Sequence, residues 1–554
     1  MKIWSVLEPK DKKRFIFFIS LIVVTSLVEL LGIGLILPFT SMIINESSNI
    51  FLNFLDFDFI VKLKKELLIY YFCITLLIIF LLKNIYLGFF YFYEGVFLNS
   101  TIHNISTRIF KKILDNQIID NQEIHSSQII NDLTKEITMF GNYLSGVVIM
   151  LTEIPIVILI SFFIFIYQTQ LVLIILLIIL FATFAYLFFV GKKIKELGRS
   201  RKLNEEEKLK YLQEGLHGIK EIQLYGKEDH FIEKFRVKSE KISKNFYSYN
   251  FWSKAPRLFF EFLFVAIITI LIAYFNYYKF KLDEFIPLLA LFLVASFRIL
   301  PAANRIIGSF QQITYTKVAM NTIYNKLSQV QFNTDNQRNE FVIKKNILLK
   351  DLSFNYKDKK PVIKSLSENI VKGDIVGVYG PSGAGKSTLL DIITGVKEPT
   401  KGHILYDNKS IADFRHKLFK NISYIPQSVF LFDDTIKNNI TFYSKNFNNK
   451  KFQEAIKIAK LEAFFEKLPD REETIVGEVG KKISGGEKQR IGLARAIYHN
   501  PDILILDEAT SAIDKNTEKE IFINLQNYVQ KDKILIFVSH KESLLNFSNK
   551  IIRI

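Results

Sequence analysis

The sequence predicts a chain of two unlike parts, an α-helical membrane domain with six spans followed by an α/β domain built on a parallel sheet. The 554 residues are too many for one hydrophobic core, and a hydrophobic share of 49% with 52 Phe is high for an ordinary soluble protein. Apolar runs of bilayer length dominate the first part, whereas short strand-like runs alternate with helical segments in the second. We therefore predict a membrane domain at 1–326, a polar linker at 327–342 and an α/β domain at 343–554.

Charge and cysteine content exclude some classes of protein. The formal net charge of +17 is compatible with nucleic-acid binding, but in a membrane protein it more often reflects Lys/Arg-rich loops against an anionic cytoplasmic leaflet. We therefore expect no nucleic-acid partner. Cys73 is the only cysteine, which rules out an intrachain disulfide and a cysteine metal cluster. The basic N-terminus leads into an apolar run too long for a signal peptide, so we expect it to be retained.

Six apolar runs predict the membrane spans, since about 20 residues cross a bilayer. The two long connections, 99–140 and 191–257, are rich in Lys and Arg and are therefore expected on the cytoplasmic side of the cytoplasmic (inner) membrane, together with the α/β domain. Each should consist of two helical extensions joined by a short crossing helix, near 118–135 and 214–231. Residues 47–57 fit an amphipathic helix in the outer interface or an ordinary loop. The runs are 15–44, 67–98, 141–167, 171–190, 258–275 and 285–300.

A phosphate-binding loop follows the strand-like run 375–379. The string GPSGAGKST has the form G-x-x-x-x-G-K-[ST] and stands where a strand gives way to a helix. Its glycines allow the backbone N–H groups to surround the phosphates, its lysine adds positive charge, and the first hydroxyl after the lysine is placed to bind Mg²⁺. We predict a nucleoside triphosphate site formed by Gly380, Pro381, Ser382, Gly383, Ala384, Gly385, Lys386, Ser387 and Thr388.

Further motifs follow in a fixed order. The apolar strand 503–506 ends in Asp507 and Glu508, the arrangement that holds Mg²⁺ and polarises water in phosphate-loop enzymes. The string ISGGEKQR at 483–490 opens a helix with a serine and two glycines, which predicts a second anion-binding helix terminus. Three more candidates stand near strand-like runs: Tyr356, Gln427 and His540.

This ordered set resembles the nucleotide-binding domain of ABC transporters from residue 343 onward, and the whole chain resembles an exporter-type half-transporter (the type IV exporter fold). The resemblance implies ATP and Mg²⁺ as cofactors. It implies that Tyr356 stacks on adenine and that Gln427 senses Mg²⁺, which Ser387 and Asp507 would also bind. It also implies that Lys386 and His540 contact the phosphates and that Glu508 acts as the catalytic base.

The same resemblance assigns the second glycine motif to a neighbouring subunit. Ser484, Gly485 and Gly486, with Glu487 beside them, would close over ATP bound by the opposite chain, and Asp514 would bridge the subunits. Ile483 and Glu487 stand where the family usually has Leu and Gln. One such domain per chain cannot form this closed site alone, so we expect a homodimer through both domains.

Basic residues in the predicted spans are the candidates for substrate binding, because a charge within a bilayer is costly and usually serves a cavity or a partner. Arg298 and Arg305 are seven residues apart and so share a helix face. The alternatives are pairing with membrane glutamates or snorkelling to an interface, and they stay open for Lys83 and Arg257. In the sixth span the string RILPAANRI, with a basic residue on each side of a proline turn, favours substrate binding. The candidates are Lys83, Arg257, Arg298 and Arg305, and the possible partners are Glu29, Glu153 and Glu261.

The strings VELLGIGLILPF, KAPRLFFEF and RILPAANRI are similar to lipid-linked oligosaccharide flippases of the PglK type. That resemblance implies an ATP-driven flippase for a polyprenyl-pyrophosphate glycan, whose pyrophosphate would meet the four basic residues and whose tail would touch the segment 47–57. Membrane lipid and the lipid-linked glycan are then the expected partners. Export of another anionic lipid of the lipid A type, a peptide or a drug stays open.

Overall fold

The computed structural model describes residues 2–34, 65–120, 126–167, 169–277, 282–328, 343–356, 361–410, 421–530 and 532–554. The chain forms two compact units, Met1–Phe332 and Asn333–Ile554, called here the helical unit and the α/β unit. The predicted linker falls largely in 329–342, outside the described residues, so the domain boundaries stay a prediction.

The described part of the helical unit consists of helices alone, as its apolar runs predict. Six of the helices are long: 26 residues in the first and between 31 and 56 in the others. A five-residue π-helical turn, Asp132–Glu136, precedes one of them. The helices are α1 Lys2–Val6, α2 Pro9–Gly34, α3 Lys65–Asp120, α4 Ser126–Asn131, α5 Ile137–Tyr167, α6 Thr169–His217, α7 Ile219–Leu224, α8 Glu228–Tyr277 and α9 Leu282–Ser328.

By length and composition, three stretches among the described residues are able to cross a membrane: Pro9–Leu31, Tyr70–Asp115 and Ser126–Phe162. Five of the six predicted runs fall wholly on long helices, and so does the described part of the first run, residues 15–34, whose remaining residues lie outside the described part of the chain. The count of six spans stays a prediction. The segment 47–57, predicted as an amphipathic helix or a loop, lies outside the described residues.

The long helices continue well beyond the predicted spans, which confirms the expected helical extensions. The short helix α7 lies where the second crossing helix is predicted. At the first crossing, α4 begins after residues 121–125, which lie outside the described residues.

The helical unit is held by side chains packed between its helices. Helix α9 packs along α5 and α6, α8 packs along α6, and α2 packs against α3 and α5. Phe18 of α2 stacks on Phe90 and Phe97 of α3, with ring centroids 5.3 and 5.6 Å apart. All three rings are fully buried, so this cluster contributes the burial of large aromatic surfaces to the α2–α3 contact.

The α/β unit contains two sheets. One is antiparallel with the order β2-β1-β4-β5, and the other is parallel with the order β6-β7-β8-β3-β9. The strands are β1 Asn346–Phe354, β2 Ile363–Val371, β3 Ile375–Tyr379, β4 Lys401–Tyr406, β5 Lys409–Ser410, β6 Ile422–Ile425, β7 Ile503–Asp507, β8 Ile534–Val538 and β9 Lys550–Arg553.

Helices connect and cover these strands, which confirms the predicted helix-covered parallel sheet. The helices are α10 Lys386–Ile393, α11 Ile436–Thr441, α12 Asn449–Ile458, α13 Glu462–Glu466, α14 Gly485–Tyr498, α15 Lys515–Val529 and α16 Glu542–Leu545.

The parallel sheet is buried on both faces, as its continuous apolar strands require. In β7, Ile503 and Ile505 face the core shared with the antiparallel sheet, whereas Leu504 and Leu506 face the core formed with helices. Because the carboxyl ends of parallel strands meet at one edge, this sheet brings β3, β7 and β8, and the residues that follow them, to the same place.

Candidate nucleotide site and membrane charges

The phosphate loop Gly380–Thr388 connects β3 to the N-terminus of α10. Gly385 caps that helix with a φ of 106°, a conformation that side chains rarely adopt. A Cβ there would also stand 2.3 Å from Cγ1 of Val362. The sequence therefore needs glycine at this point to turn the chain from the strand into the helix.

Lys386 is buried and folds back over the loop. Its Nζ donates to the carbonyl oxygens of Gly380 and Pro381 at 2.9 and 3.0 Å. The ammonium is thus fixed inside the loop, where it can meet an anion. Ser387, the next residue, is exposed and makes no hydrogen bond to the described residues.

Two predicted catalytic residues, His540 and Gln427, contact a third, Glu508, which follows β7 directly. His540 Nε2 lies 2.8 Å from Glu508 Oε1, and Gln427 Nε2 donates to Glu508 Oε2 at 2.9 Å. Because a carboxylate only accepts hydrogen bonds, His540 carries its proton on Nε2 in this pairing. Lys386 Nζ lies 3.4 Å from the same nitrogen, but both nitrogens then carry protons, so the loop lysine stands beside these three residues without a hydrogen bond to His540.

Asp507 is the last residue of β7 and is buried. Tyr424 donates to its Oδ2 at 2.8 Å, and burial together with this negative neighbour raises the pKa of Tyr424 above its ordinary value. Hydroxyl, amide and carboxylate oxygens are the donors that Mg²⁺ prefers, so the predicted set of Ser387, Gln427 and Asp507 fits that ion chemically.

Ser484 is the N-cap of α14, and its hydroxyl accepts a hydrogen bond from the N–H of Glu487. In return, the N–H of Ser484 donates to the Glu487 carboxylate at 2.9 Å, which completes a capping box. The structure therefore places the Glu487 carboxylate on its own helix end. A Cβ on Gly486 would stand 2.8 Å from the carbonyl oxygen of Ala512, so glycine allows α14 to pack against the loop after Glu508.

Gln489 is a site residue that the sequence reasoning missed. It is buried, and its Nε2 donates to the Gln427 carbonyl oxygen at 3.3 Å and to Ser511 Oγ at 3.1 Å, while its Oε1 accepts from the N–H of Ala512 at 2.9 Å. It fastens α14 to the loops that carry Gln427 and Glu508. The signal for it was a polar residue in the ISGGEKQR string on the inward face of a helix.

Two further predicted residues have local partners. Tyr356 follows β1, and its hydroxyl lies 3.1 Å from Thr388 Oγ1. Asp514 caps α15, and the N–H of Thr517 donates to it at 3.0 Å, which holds the pKa of that carboxyl below its ordinary value.

Two of the predicted membrane cations, Lys83 and Arg305, lie in separate ion pairs and not in one cluster. Lys83 Nζ pairs with Glu29 at 2.7 Å, and Arg305 donates from Nε and Nη2 to the two oxygens of Glu153 at 2.6 and 3.1 Å. For Lys83 and Arg305, the alternative of pairing with membrane glutamates is therefore the arrangement observed.

The remaining predicted cations are Arg257 and Arg298. Arg257 is exposed on α8 and makes no ion pair with a described residue, and neither does the exposed Glu261. Arg298 lies on α9 with Arg305, as their spacing predicts, but its side chain lies outside the described residues.

A cavity of about 290 Å³ lies between α2, α3, α5 and α9. Its lining includes Glu29, Glu94 and Glu153 with Arg305 as the one basic side chain among the lining residues. Arg305 thus belongs to a polar cavity of the helical unit in which carboxylates outnumber cations.

These features define a membrane protein whose second unit carries a phosphate loop and an acidic strand end. The family of ABC transporter transmembrane regions matches residues 16–300, more than half of the chain, and the ABC transporter family matches 363–511. The chain therefore belongs to the ABC transporter family.

Curated relatives match over a little more than a third of the chain. A multidrug resistance-like ATP-binding protein MdlA of Buchnera aphidicola is 40% identical over 203 residues, or 36% of this chain and 35% of that protein. An ATP-dependent lipid A-core flippase of Pasteurella multocida is 37% identical over 206 residues, or 37% and 35%. A putative multidrug export ATP-binding/permease protein of Staphylococcus aureus is 39% identical over 203 residues, or 36% and 35%. The matches thus span about a third of the length of these relatives.

The whole architecture also matches a solved structure. A bacterial Atm1-family ABC exporter with ATP bound superposes with a TM-score of 0.80, covering 98% of this chain and 93% of that chain at 18% identity. This likeness shows an exporter fold with a helical membrane domain and a nucleotide-binding domain.

Proposed function

We propose that the chain is an ATP-hydrolysing exporter. The observation that carries this proposal is the group formed by Lys386, His540, Glu508 and Gln427 beside the phosphate loop. A carboxylate held on both oxygens at a strand end, next to a buried lysine, has the parts needed to orient a water molecule against a terminal phosphate.

We propose the following roles for the site residues. Tyr356 stacks on the adenine, and the phosphate loop with Lys386 holds the phosphates. Glu508 accepts the proton of the attacking water, while His540 and Gln427 fix its orientation. Mg²⁺, held by Ser387, Asp507 and Gln427, neutralises charge on the phosphates.

We propose that two copies of the chain form a homodimer through both units. Ser484 and Gly485 are exposed at the start of α14, and no described hydrogen bond joins them to the phosphate loop of their own chain. A helix N-terminus with free N–H groups is suited to bind an anion. The phosphates of ATP bound by a second chain are its proposed ligand, and Asp514 is proposed to bridge the two chains.

We further propose six spans in the cytoplasmic membrane, with the α/β unit in the cytoplasm. The described parts of the apolar runs lie on six long helices and the long connections are basic, and both observations support this topology.

For the substrate we propose an anionic lipid-linked glycan, a polyprenyl-pyrophosphate oligosaccharide. Arg305 supports this choice, because its side chain is 41% exposed and its pair with Glu153 uses two of five guanidinium N–H groups. Three donors remain for a phosphate. Arg257 and Arg298 are proposed to add charge, and Lys83, which is only 13% exposed, contributes less.

A second candidate is an anionic glycolipid of the lipid A type. The names of two relatives support it, since both are lipid A-core flippases that are 36–37% identical to this chain over the matched residues. Export of a drug or a peptide is a further alternative, and the names of the multidrug relatives agree with export of drugs.

Reconstitution in liposomes tests both levels of the proposal. The protein should hydrolyse ATP only with Mg²⁺ present, and ATP should reduce the accessible lipid-linked glycan in vesicles that contain it. Parallel vesicles with lipid A, a cationic dye or a peptide identify the substrate class. Transport of the dye alone would contradict the glycan and lipid A proposals, and the absence of ATP hydrolysis would contradict the activity itself.

A further inference from the structure

The hydroxyl of Tyr356 is held by two groups of the α/β unit. It lies 3.1 Å from Thr388 Oγ1, and Lys397 Nζ donates to it at 3.0 Å. These two bonds lower the pKa of Tyr356, with the bond from Lys397 having the larger influence. The tyrosine is therefore fixed at its polar end and not only by the packing of its ring.

Lys397 connects this hydroxyl to the helix of the phosphate loop. Its Nζ also donates to Asp391 Oδ2 at 2.7 Å, and both Asp391 and Thr388 belong to α10. The helix that presents N–H groups to the phosphates thus also sets the position of Tyr356.

The ring itself stays available for stacking. Lys397 Nζ is 5.1 Å from the ring centroid but only 3.0 Å from the hydroxyl, so the ammonium lies at the hydroxyl end. Phe354 meets the ring edge-on, at 5.1 Å between centroids and an angle of 89°. Neither neighbour stacks face to face with the ring as a base would.

We propose that Lys397 is a positioning residue for nucleotide binding, which orients Tyr356 through its hydroxyl so that the ring meets the base while α10 meets the phosphates. The inference rests on the proposed function, in which Tyr356 stacks on adenine. Lys397 touches neither the base nor the phosphates in this arrangement, and its effect passes through the tyrosine.

The physical reason is the cost of ordering a side chain. A tyrosine without its two hydrogen bonds samples further orientations, and binding a base then requires fixing one of them at an entropic cost. The charged hydrogen bond from Lys397 holds the ring in one orientation before the base arrives. Loss of Lys397 should therefore weaken ATP binding by about three- to tenfold without changing the chemical step.

The test uses the full chain in detergent, with KM and kcat measured for ATP. Lys397→Met should raise KM about three- to tenfold at unchanged kcat, and Lys397→Arg should restore KM. Tyr356→Phe keeps the ring but removes the hydroxyl, so it should match Lys397→Met, and the double variant should be no worse than either alone.

A matched control exists in the same unit. Lys437 pairs with Glu473 at 2.7 Å and lies 5.1 Å from the Phe447 ring, the same two distances as for Lys397, but it has no tyrosine hydroxyl. Lys437→Met should leave KM unchanged. Inorganic tripolyphosphate, which has no base, should inhibit all variants equally.

Two results would overturn the inference: an unchanged KM in Lys397→Met, or an equal loss of affinity for tripolyphosphate, which would place Lys397 in phosphate binding. Failure of the wild-type chain to bind ATP is a separate outcome, and it would overturn the proposed function and this inference together.

Discussion

Charged residues have different surroundings in the two units. In the α/β unit, the predicted residues face one another at a sheet edge and stay partly open, with His540 46% and Glu508 22% exposed. In the helical unit, Lys83 and Glu29 are 13% and 6% exposed and neutralise each other. A buried unpaired charge is costly in protein and in lipid alike, so pairing is the expected state wherever no ligand is present.

The difference teaches how to read a charged residue in each unit. A charged side chain with exposed atoms and unused hydrogen-bond donors or acceptors is able to bind a ligand. A buried ion pair whose two charges satisfy each other instead stabilises the contact between helices. Arg305 lies between these cases, because it is paired with Glu153 and still 41% exposed. Mutation should therefore distinguish residues that bind a ligand from residues that form a structural ion pair.

The largest effect is expected at Glu508. Glu508→Gln keeps the shape of the side chain but removes the base, and its amide can accept only one of the two hydrogen bonds from His540 and Gln427, so ATP hydrolysis should fall by about 10²- to 10⁴-fold while ATP still binds. Steady-state ATPase assays and equilibrium nucleotide binding measure the two properties separately. Glu520→Gln, which breaks a surface pair with Lys460, is the control and should hydrolyse ATP normally. Near-normal turnover of Glu508→Gln would remove Glu508 from the role of base.

Lys83 should show the behaviour of a structural pair. Lys83→Met leaves Glu29 buried without its cation, so the free energy of unfolding should fall by about 3 kcal/mol. The double variant Lys83→Met/Glu29→Gln removes both charges and should recover most of that loss. Thermal unfolding in detergent reports stability, and liposome transport reports function. Restored stability with transport still absent would instead assign Lys83 to the substrate.

The sequence predicts which residues of the α/β unit come together more readily than it predicts how the membrane charges pair. The residues of the nucleotide motifs stand in short strings and at strand ends, and parallel strands bring such ends together without further information. The antiparallel sheet was not predicted, because β1 carries register shifts and a left-handed residue, Asp351 with a φ of 49°, that interrupt its alternation. Gln489, Tyr424 and Lys397 were missed because their roles arise from contacts between distant segments.

In the helical unit, the sequence identified both the cations and the glutamates, but it left the choice between pairing and substrate binding open for Lys83 and favoured substrate binding alone for Arg305. That choice depends on which helix faces line up, and spacing along one helix does not contain this information. Glu29 and Lys83 lie on α2 and α3, and Glu153 and Arg305 on α5 and α9, so both pairs depend on tertiary packing.

In the same comparison of single and double variants, Arg305 should differ from Lys83 in its effect on transport. Arg305→Gln removes donors from the cavity, so glycan translocation should fall by about ten- to hundredfold, equivalent to one hydrogen bond to a charged group. Basal ATP hydrolysis should persist. In Arg305→Gln/Glu153→Gln the stability should recover and the transport should not. Unimpaired translocation in either variant would place Arg305 with Lys83 among the structural pairs.

The smallest effect concerns packing in the helical unit, where we expect stability to depend on how closely two helices approach each other. A Cβ on Gly198 of α6 would stand 2.2 Å from the carbonyl oxygen of Tyr315 on α9, whereas a Cβ on Gly191 of the same helix would meet nothing within 4 Å. Gly198→Ala should therefore lower the free energy of unfolding by about 1–3 kcal/mol through overpacking. Gly191→Ala should leave it unchanged or raise it by about 0.5–1 kcal/mol, because alanine favours the helix. Thermal unfolding in detergent compares the two, and equal stability of both variants would show that α6 and α9 are not held as closely as described.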